Sequence, residues 1–197
     1  MLHVIGLAHR AQARRPGDPL TETQQAFADC LRRNIEQVRP AFIAEEDSEE
    51  ALAERHGLSI AKEIADEMGI EHRFCDPTRE QRSAIGYKDG QTLELEMSMH
   101  DDTGLSKEEI RNKARAIEIG RYFPIRERFW LDQLQSCRDR GAVFICGDGH
   151  IESFGRLLES DGVPYRVVER GIGLNEQDRL FADAVQYLND HPELRNG

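Results

Sequence analysis

The alternation of short apolar runs with amphipathic helical segments is the feature that most constrains the fold of this chain. Apolar runs at residues 2–8 and 41–44 and a predicted strand at 70–75 are separated by helical patterns, and the same rhythm returns with the apolar run at 142–146 and a predicted strand at 165–168. Buried parallel strands are read as continuous apolar runs, and they need a crossover helix between them. The pattern therefore predicts an α/β fold, with a mainly parallel sheet of about five strands flanked by helices.

Residues 88–138 interrupt this alternation of strands and helices. Within them, residues 93–100 alternate apolar with polar side chains, which is typical of a half-buried strand. The same stretch is rich in Leu, Glu and Met, which favours a helix, so both interpretations remain open. Such a segment either packs on the protein's own core, which is the commoner situation, or forms an exposed apolar edge used in a homodimer.

Two helices are predicted to follow in the same interruption. The spacing from Ser106 to Glu109 is that of a capping box, which marks the start of a helix. Pro124 breaks or kinks the chain between this helix and a second one, because proline lacks the amide proton that a helix interior needs. We therefore predict one α/β domain over residues 1–197, with residues 88–138 as an insertion that holds a loop or strand and two helices.

Composition and charge exclude two classes of partner. The chain has 26 Lys and Arg against 37 Asp and Glu, a formal net charge of −11, so a general nucleic-acid surface is not expected. No stretch approaches the roughly 18 apolar residues of a membrane span, and the N-terminus does not resemble a signal peptide. We expect a cytoplasmic protein with no nucleic-acid or membrane partner, which is still compatible with a small polyanionic ligand in a local basic pocket.

Two short strings of the same form, GxxH, follow predicted strands. They are Gly6-Leu7-Ala8-His9 and Gly147-Asp148-Gly149-His150. In an open parallel sheet, ligands bind outside the carboxyl ends of the strands, so we expect His9 and His150 to lie at the same edge. The glycines allow the backbone to turn sharply and to approach a ligand closely.

Carboxylates stand at the ends of the other early strands. Glu45 and Glu46 end the second strand, and Asp76 ends the third. Two histidines and two or three carboxylates could ligate a divalent ion such as zinc, manganese or cobalt, or could orient and deprotonate water without a metal. Alternation along a strand sends Glu45 and Glu46 to opposite faces, and the sequence leaves open which of them belongs to the site.

Arginines and a tyrosine complete the set of candidates. Arg126 and Arg128 lie in the helix that follows Pro124. Their spacing favours a solvated helix face with ion pairs, and the alternative is a clamp for an anion or a transition state. Tyr87 and Asp76 are further candidates for contacts with substrate.

These motifs resemble those of the group that unites TraB and PrgY pheromone-shutdown proteins, TIKI metalloproteases, ChaN-like proteins and erythromycin esterases. The resemblance extends in order along about residues 2–168. Beyond the paired GxxH strings, the similar segments are Pro40-Ala41-Phe42-Ile43-Ala44-Glu45-Glu46, Phe74-Cys75-Asp76-Pro77-Thr78-Arg79, the Arg126-Glu127 helix with Trp130 and Leu134, and residues 143–150 followed by Leu157-Leu158.

The resemblance implies a role for each matching residue. His9 and His150 would be metal ligands or bases, Glu46 a ligand or base, and Arg126 the clamp for the substrate or the oxyanion. In this group the TIKI members are described as metal-dependent proteases, whereas erythromycin esterases are hydrolases thought to activate water through histidine and glutamate. The sequence also departs from the TIKI and PrgY relatives, since it is short and has no membrane segment.

We therefore predict a hydrolase, peptidase-like or esterase-like by resemblance, that activates water with His9, His150 and Glu46. The same three residues would hold a divalent metal (Mn, Co or Zn) if one is used, and Arg126 would stabilise the oxyanion. The substrate would be a small molecule or a peptide, with substrate contacts from Asp76, Arg128 and Tyr87. The alternative is a non-catalytic binding or regulatory module that captures a peptide or a small anion at the same strand ends.

Overall fold

The computed structural model describes residues 1–99, 104–135, 140–174 and 179–195 of the chain. Contacts divide the chain into two compact units. The first unit is Met1–Thr78 with Arg128–Leu174, and the second is Arg79–Glu127 with Asn175–Gly197. Whether the chain is one domain with residues 88–138 as an insertion stays a prediction.

The first unit is built on a five-stranded sheet in which every pair is parallel. The strands of the described residues are β1 (Leu2–Leu7), β2 (Ala13–Arg14), β3 (Phe42–Glu45), β4 (Leu58–Ser59), β5 (Glu71–Phe74), β6 (Ala142–Gly147) and β7 (Tyr165–Ile172). The sheet order is β5-β3-β6-β1-β7, while β2 and β4 form a separate antiparallel pair. The predicted α/β fold with five mainly parallel strands is confirmed.

Helices connect the strands and make up the second unit. The α-helices of the described residues are α1 (Glu22–Val38), α2 (Glu49–Glu54), α3 (Ile60–Met68), α4 (Arg79–Ala84), α5 (Gly90–Met99), α6 (Lys107–Ile117), α7 (Phe123–Gln133), α8 (Ile151–Ser160) and α9 (Arg179–Asp190). Within the described ranges, every helix is too short or too polar to cross a membrane.

The sheet of the first unit is covered on both faces, and this explains why the inner strands β1, β3 and β6 are largely apolar, whereas the edge strands β5 and β7 carry polar residues. Phe144 of β6 packs with Trp130 and Phe154 on one face. The next residue, Ile145, packs with Phe27 and its neighbours from α1 and α3 on the other face. Successive side chains of a strand point to opposite faces, so a central strand needs apolar residues at every position.

Capping boxes mark the first residues of α1 and α6. The Thr21 side chain accepts from the Gln24 amide, and the Gln24 side chain accepts from the Thr21 amide, which closes a capping box at α1. The capping box predicted from Ser106 to Glu109 is present at α6. Each box satisfies amide groups that the first helical turn leaves without an intrahelical partner.

One expectation for the middle of the chain needs correction. The strand interpretation of residues 93–100 is wrong for the described part, because residues up to Met99 form α5, as the Leu-Glu-Met composition favoured. The two helices predicted around Pro124 are α6 and α7, and a π-helical turn, Glu118–Tyr122, joins them. Pro124 is the second residue of α7, in the first helical turn, where the missing amide proton is tolerated.

Candidate functional site

The two GxxH strings lie at the ends of neighbouring strands in the first unit, offset from each other by one residue. β1 and β6 are neighbouring parallel strands, with Gly6 in register with Cys146 and Leu7 with Gly147. Each strand runs directly into a single 3₁₀ turn, His9–Ala11 after β1 and Asp148–His150 after β6. Because the strands are parallel and in register, both histidines reach the carboxyl edge of the sheet together.

Glu46 is the carboxylate that meets these histidines. Its Oε1 atom lies 3.7 Å from Nε2 of His9 and 3.5 Å from Nε2 of His150. Its Oε2 atom accepts the amide proton of Gly147 at 2.7 Å, so the backbone of the second GxxH string orients the carboxylate. The structure therefore brings together the three residues expected at the site, and it selects Glu46 rather than Glu45.

Access to the site is one-sided. The side chains of Glu46 and His150 are fully or almost fully buried, whereas the side chain of His9 is 53% exposed. A substrate would therefore meet His9 first, with the carboxylate and the second imidazole behind it. Burial strengthens electrostatic interactions among these groups, because little water is present to screen them.

The glycine of each GxxH string makes room for a residue of the other string. A Cβ atom on Gly147 would lie 2.8 Å from Nε2 of His9. A Cβ atom on Gly6 would lie 2.7 Å from Oδ1 of Asp148 and 2.8 Å from Cγ1 of Ile151. Distances below about 3.0 Å force atoms to shift, so the two glycines allow the two turns to pack side by side.

Asp76 lies behind the histidines rather than among them. It is buried, and its Oδ1 atom accepts a hydrogen bond from the indole Nε1 of Trp130 at 3.0 Å. The Trp130 ring packs edge-to-face on the imidazole of His150, with ring centroids 4.7 Å apart. Asp76 therefore fixes the Trp130 ring, which in turn packs against His150. The expected contact of Asp76 with a substrate stays a prediction.

Gln12 is a site residue that the sequence did not indicate. It is buried, and its Nε2 donates to Oε2 of Glu45 at 3.2 Å and to the carbonyl of Glu46 at 3.4 Å. Both partners are acceptors, so the amide nitrogen must face them and the amide oxygen must face His9, whose Nδ1 lies 3.3 Å away. When the His9 ring carries a single proton, this contact favours that proton on Nδ1 and leaves Nε2 as the acceptor nitrogen.

Glu45 belongs to a different, fully buried network. Its Oε1 atom pairs with Nε2 of His72 at 2.8 Å and accepts the hydroxyl proton of Ser59, while its Oε2 atom accepts from Gln12. Ser59 is also the cap of α3, since its oxygen accepts the Lys62 amide. The carboxylate thus joins two strands and a helix start, which is a structural task.

The remaining candidates have partners of their own. Arg128 forms a two-pronged ion pair with Asp161, which follows the last residue of α8. His150 precedes the first residue of that ten-residue helix, roughly 15 Å away along its axis, so Arg128 is not placed beside the histidines.

Arg126 and Tyr87 lie together in the second unit, with the guanidinium centre 5.6 Å from the ring centroid. The Tyr87 hydroxyl donates to Oε1 of Glu118 at 2.8 Å, and burial raises the pKa of Tyr87, so this hydroxyl stays protonated. Their expected roles toward a substrate stay predictions.

The side chains of His9, His150 and Glu46 can be compared with the ligands of a zinc site. Two imidazole nitrogens and one carboxylate oxygen are a known zinc ligand set, and bonds of about 2.0–2.1 Å place tetrahedral donors roughly 3.4 Å apart. The two histidine-to-Glu46 distances, 3.5 and 3.7 Å, are close to that spacing. As they stand, however, no three His, Cys, Asp or Glu side chains within the described residues converge as a metal site requires.

Cysteine chemistry does not contribute to this site. Cys30, Cys75 and Cys146 are free and buried, as expected for reduced thiols, while Cys137 lies outside the described residues. Burial raises the pKa of Cys75 to about 12 and also raises the pKa of Cys30. These two thiols are therefore protonated near neutral pH and lack the thiolate that a nucleophile needs.

The strand ends of the first unit thus present the half-exposed imidazole of His9, the buried imidazole of His150 and the buried carboxylate of Glu46. The side-chain amide of Gln12 contacts His9. Nothing in the rest of the chain's described residues combines these groups in the same way. Comparison of the whole chain with family models, with curated proteins and with solved structures finds no significant match.

Proposed function

We propose that this protein is a hydrolase that activates water at His9, Glu46 and His150. The observation that carries the proposal is the approach of two imidazole Nε2 atoms to a single oxygen of a buried carboxylate. The Nε2 lone pair of neutral His9, directed there by Gln12, is a proton acceptor at a half-exposed position. The resemblance of the GxxH strings to the TraB, TIKI and erythromycin esterase group supports the same reaction class.

His9 is the general base in this mechanism. A water beside Nε2 of His9 transfers a proton to that nitrogen as its oxygen attacks the substrate carbonyl, and the imidazolium later returns the proton to the leaving group. The Glu46 carboxylate stabilises the positive charge that forms on His9, as an orienting carboxylate does in other histidine-based sites. His150, held by Trp130, keeps the carboxylate in place from the buried side.

Stabilisation of the oxyanion needs a separate donor. The amide of Gly147 is already used by Glu46, so it cannot also serve the oxyanion. The resemblance assigns this task to Arg126, and a guanidinium is suited to a developing negative charge. We therefore propose Arg126 as the clamp for the oxyanion. Asp76, Arg128 and Tyr87 are proposed as secondary contacts with the substrate.

A divalent metal is compatible with the same residues. His9, His150 and Glu46 would hold Mn, Co or Zn, and such an ion would supply Lewis acidity and lower the pKa of a bound water. The chain's own contribution is then to orient the two imidazoles through Gln12 and Trp130. Glu45 does not compete for the ion, because its oxygens are engaged by His72, Ser59 and Gln12.

The test compares His9→Ala and His150→Ala with His191→Ala, which removes a surface histidine outside the site. Each protein is assayed on a panel of peptide, ester and phosphoester substrates, and its bound Mn, Co, Zn and Ni are measured after dialysis. We expect a loss of about 100-fold or more in kcat/KM for the two site variants and no change for the control.

Two outcomes separate the versions of this proposal. If the wild-type protein retains no metal above the level of the site variants but still hydrolyses a substrate, water is activated without an ion. If no substrate of the panel is hydrolysed faster by the wild type than by the variants, the hydrolase proposal fails. The strand ends would then be those of a non-catalytic binding or regulatory module for a peptide or a small anion.

We propose that the chain forms a homodimer through α5. On α5, Leu95 and Met99 are exposed to 62% and 72%, which supports use of this helix in a homodimer. Size-exclusion chromatography with light scattering would show a dimer that Leu95→Glu converts to a monomer. A cytoplasmic location stays a prediction from the sequence.

A further inference from the structure

A basic pocket opens next to His9 in the first unit. It encloses about 460 Å³, and its lining includes His9, Arg10, Arg14, Arg15, Arg55 and Asp18. Four arginines thus line the pocket with one carboxylate, and two of them, Arg14 and Arg55, are paired with carboxylates outside its lining, in a chain whose formal net charge is −11. A local excess of positive charge on an acidic protein is a feature that general solubility does not explain.

Two of these arginines form the frame of the pocket. Arg14 donates to the two carboxylate oxygens of Glu63 at 2.9 and 2.6 Å. Arg55 donates to the two carboxylate oxygens of Asp47 at 2.8 and 2.7 Å. These ion pairs fix the positions of both guanidinium groups, so the walls of the pocket are ordered before a ligand enters.

Arg15 differs from the frame arginines. It is exposed, and its guanidinium makes no hydrogen bond or ion pair with any residue in the described part of the chain. Only its backbone carbonyl is used, as an acceptor for Arg14. A guanidinium presents several donors in a plane that matches a carboxylate or a phosphate, and Arg15 has all of them available.

The start of α1 adds to the positive potential. Thr21 and Gln24, the two residues of its capping box, line the pocket. The N-terminus of a 17-residue helix carries a partial positive charge that favours anions nearby. The helix and Arg15 therefore act in the same direction on any negative group inside the pocket.

We propose that this pocket binds a carboxylate or phosphate group of the molecule on which His9 acts. The inference rests on the proposed hydrolase function for its catalytic part, but the binding itself does not. His9 belongs both to the pocket wall and to the site with Glu46, so an anion held by Arg15 would bring the rest of the molecule to the base. The volume lies in the range of small-molecule clefts, so the pocket can hold more than a lone inorganic ion.

The first experiment measures binding without catalysis. Succinate and inorganic phosphate are titrated separately into the full chain by calorimetry, with Arg15→Glu as the test variant. Arg33→Glu is the matched control, since Arg33 is exposed on α1, roughly 18 Å along the helix from Thr21, and carries the same change of charge. We expect binding of at least one anion that Arg15→Glu weakens about tenfold or more and Arg33→Glu leaves nearly unchanged.

The second experiment measures the effect on turnover. The 4-nitrophenyl monoester of succinate is compared with the uncharged 4-nitrophenyl butyrate, and a substrate with a terminal phosphate forms a third arm. We expect the wild type to prefer one anionic substrate by about tenfold in kcat/KM, and we expect Arg15→Glu to lose that preference. The arm that shows the preference identifies the anion as a carboxylate or a phosphate.

The outcomes distinguish the pocket from the proposed function. Anion binding that Arg15→Glu abolishes, in a protein that hydrolyses none of the esters, supports the pocket and removes the hydrolase. Hydrolysis of neutral and anionic esters at equal rates, with no binding of either anion, overturns the pocket and leaves the hydrolase. Binding that is equal in the wild type, Arg15→Glu and Arg33→Glu also overturns the pocket.

Discussion

Glu45 and Glu46 are neighbours at the end of β3, and both are buried, with 0% and 2% of their surfaces exposed. Glu45 receives short contacts from His72, Ser59 and Gln12. Glu46 accepts the amide proton of Gly147 and faces the imidazoles of His9 and His150 at 3.5–3.7 Å. Adjacent carboxylates of the same strand thus enter surroundings of two different kinds.

The difference teaches how one strand end serves both stability and chemistry. A buried carboxylate is tolerated when hydrogen bonds surround it, and the Glu45 surroundings meet that condition. Around Glu46, the distances to the imidazoles are longer than those of a good hydrogen bond, so a proton, a water or an ion bound there would gain attraction from all three groups. We therefore expect substitution of Glu46 to affect activity and substitution of Glu45 to affect stability.

The largest effect is expected from Glu46→Gln. The amide oxygen can still accept the Gly147 amide proton, but the charge that stabilises an imidazolium is lost. We expect a decrease of roughly 10²–10⁴ in kcat/KM with little change in the urea concentration at half-unfolding. Equal activity of Glu46→Gln and wild type on a substrate that the His9 variant does not hydrolyse would contradict the role of Glu46.

Glu45→Ala is expected to act on stability first. The substitution leaves His72, Ser59 and Gln12 without the acceptor that joins them. We expect the free energy of unfolding to fall by roughly 3 kcal/mol, as when one partner of a buried pair is removed. Urea unfolding followed by circular dichroism measures it, with Glu46→Ala as the comparison. A smaller loss for Glu45→Ala than for Glu46→Ala would reverse the assignment of the two carboxylates.

Much of this arrangement could be predicted from the sequence. Apolar runs predicted the inner strands β1, β3 and β6, because a strand buried on both faces tolerates few polar residues. The two GxxH strings predicted a common edge for His9 and His150, since parallel strands end together. Strand alternation predicted that only one of Glu45 and Glu46 would face that edge, but it could not indicate which one.

Other parts depend on contacts between residues far apart in the chain. Gln12 pairs with Glu45 across 33 positions, and no local pattern marks a glutamine for that task. His72 lies on β5, and it contacts Glu45 because β5 pairs with β3 in the sheet. The alternation of residues 93–99 predicted a strand, whereas their composition favoured a helix. The helix formed because four repeats of period two do not outweigh strong helix formers.

Gln12→Met sharpens the comparison, because Gln12 joins the two carboxylate regions. Methionine keeps the length of the side chain and removes its hydrogen bonds with His9, Glu45 and the Glu46 carbonyl. We expect the Nδ1-protonated form of His9 to lose its preference, and kcat/KM to fall about tenfold with a shifted pH profile. Imidazole ¹⁵N chemical shifts report the tautomer, and Gln25→Met, on the exposed face of α1, is the control. An unchanged tautomer in Gln12→Met would show that Gln12 has only a packing role.

The smallest effect concerns Asp47, which follows the two glutamates. Burial raises the pKa of Asp47 above its ordinary value of 3.8, Arg55 lowers it, and the charge of Glu45 raises it. The folded protein therefore holds this proton more tightly than the unfolded chain does. The resulting contribution to stability is fully present below pH 3.8 and is lost as the pH rises through the raised pKa.

Removal of the Glu45 charge takes away one of the causes that keep this pKa high. We expect Glu45→Gln to lower the pKa of Asp47, and Glu46→Gln to lower it less, because alternation along the chain directs Glu46 away from Asp47. Carboxyl ¹³C titration from about pH 3 to about pH 7 measures both variants. A larger decrease for Glu46→Gln would mean that Glu46, rather than Glu45, shares its surroundings with Asp47, and the separation of the two carboxylate regions would then not hold.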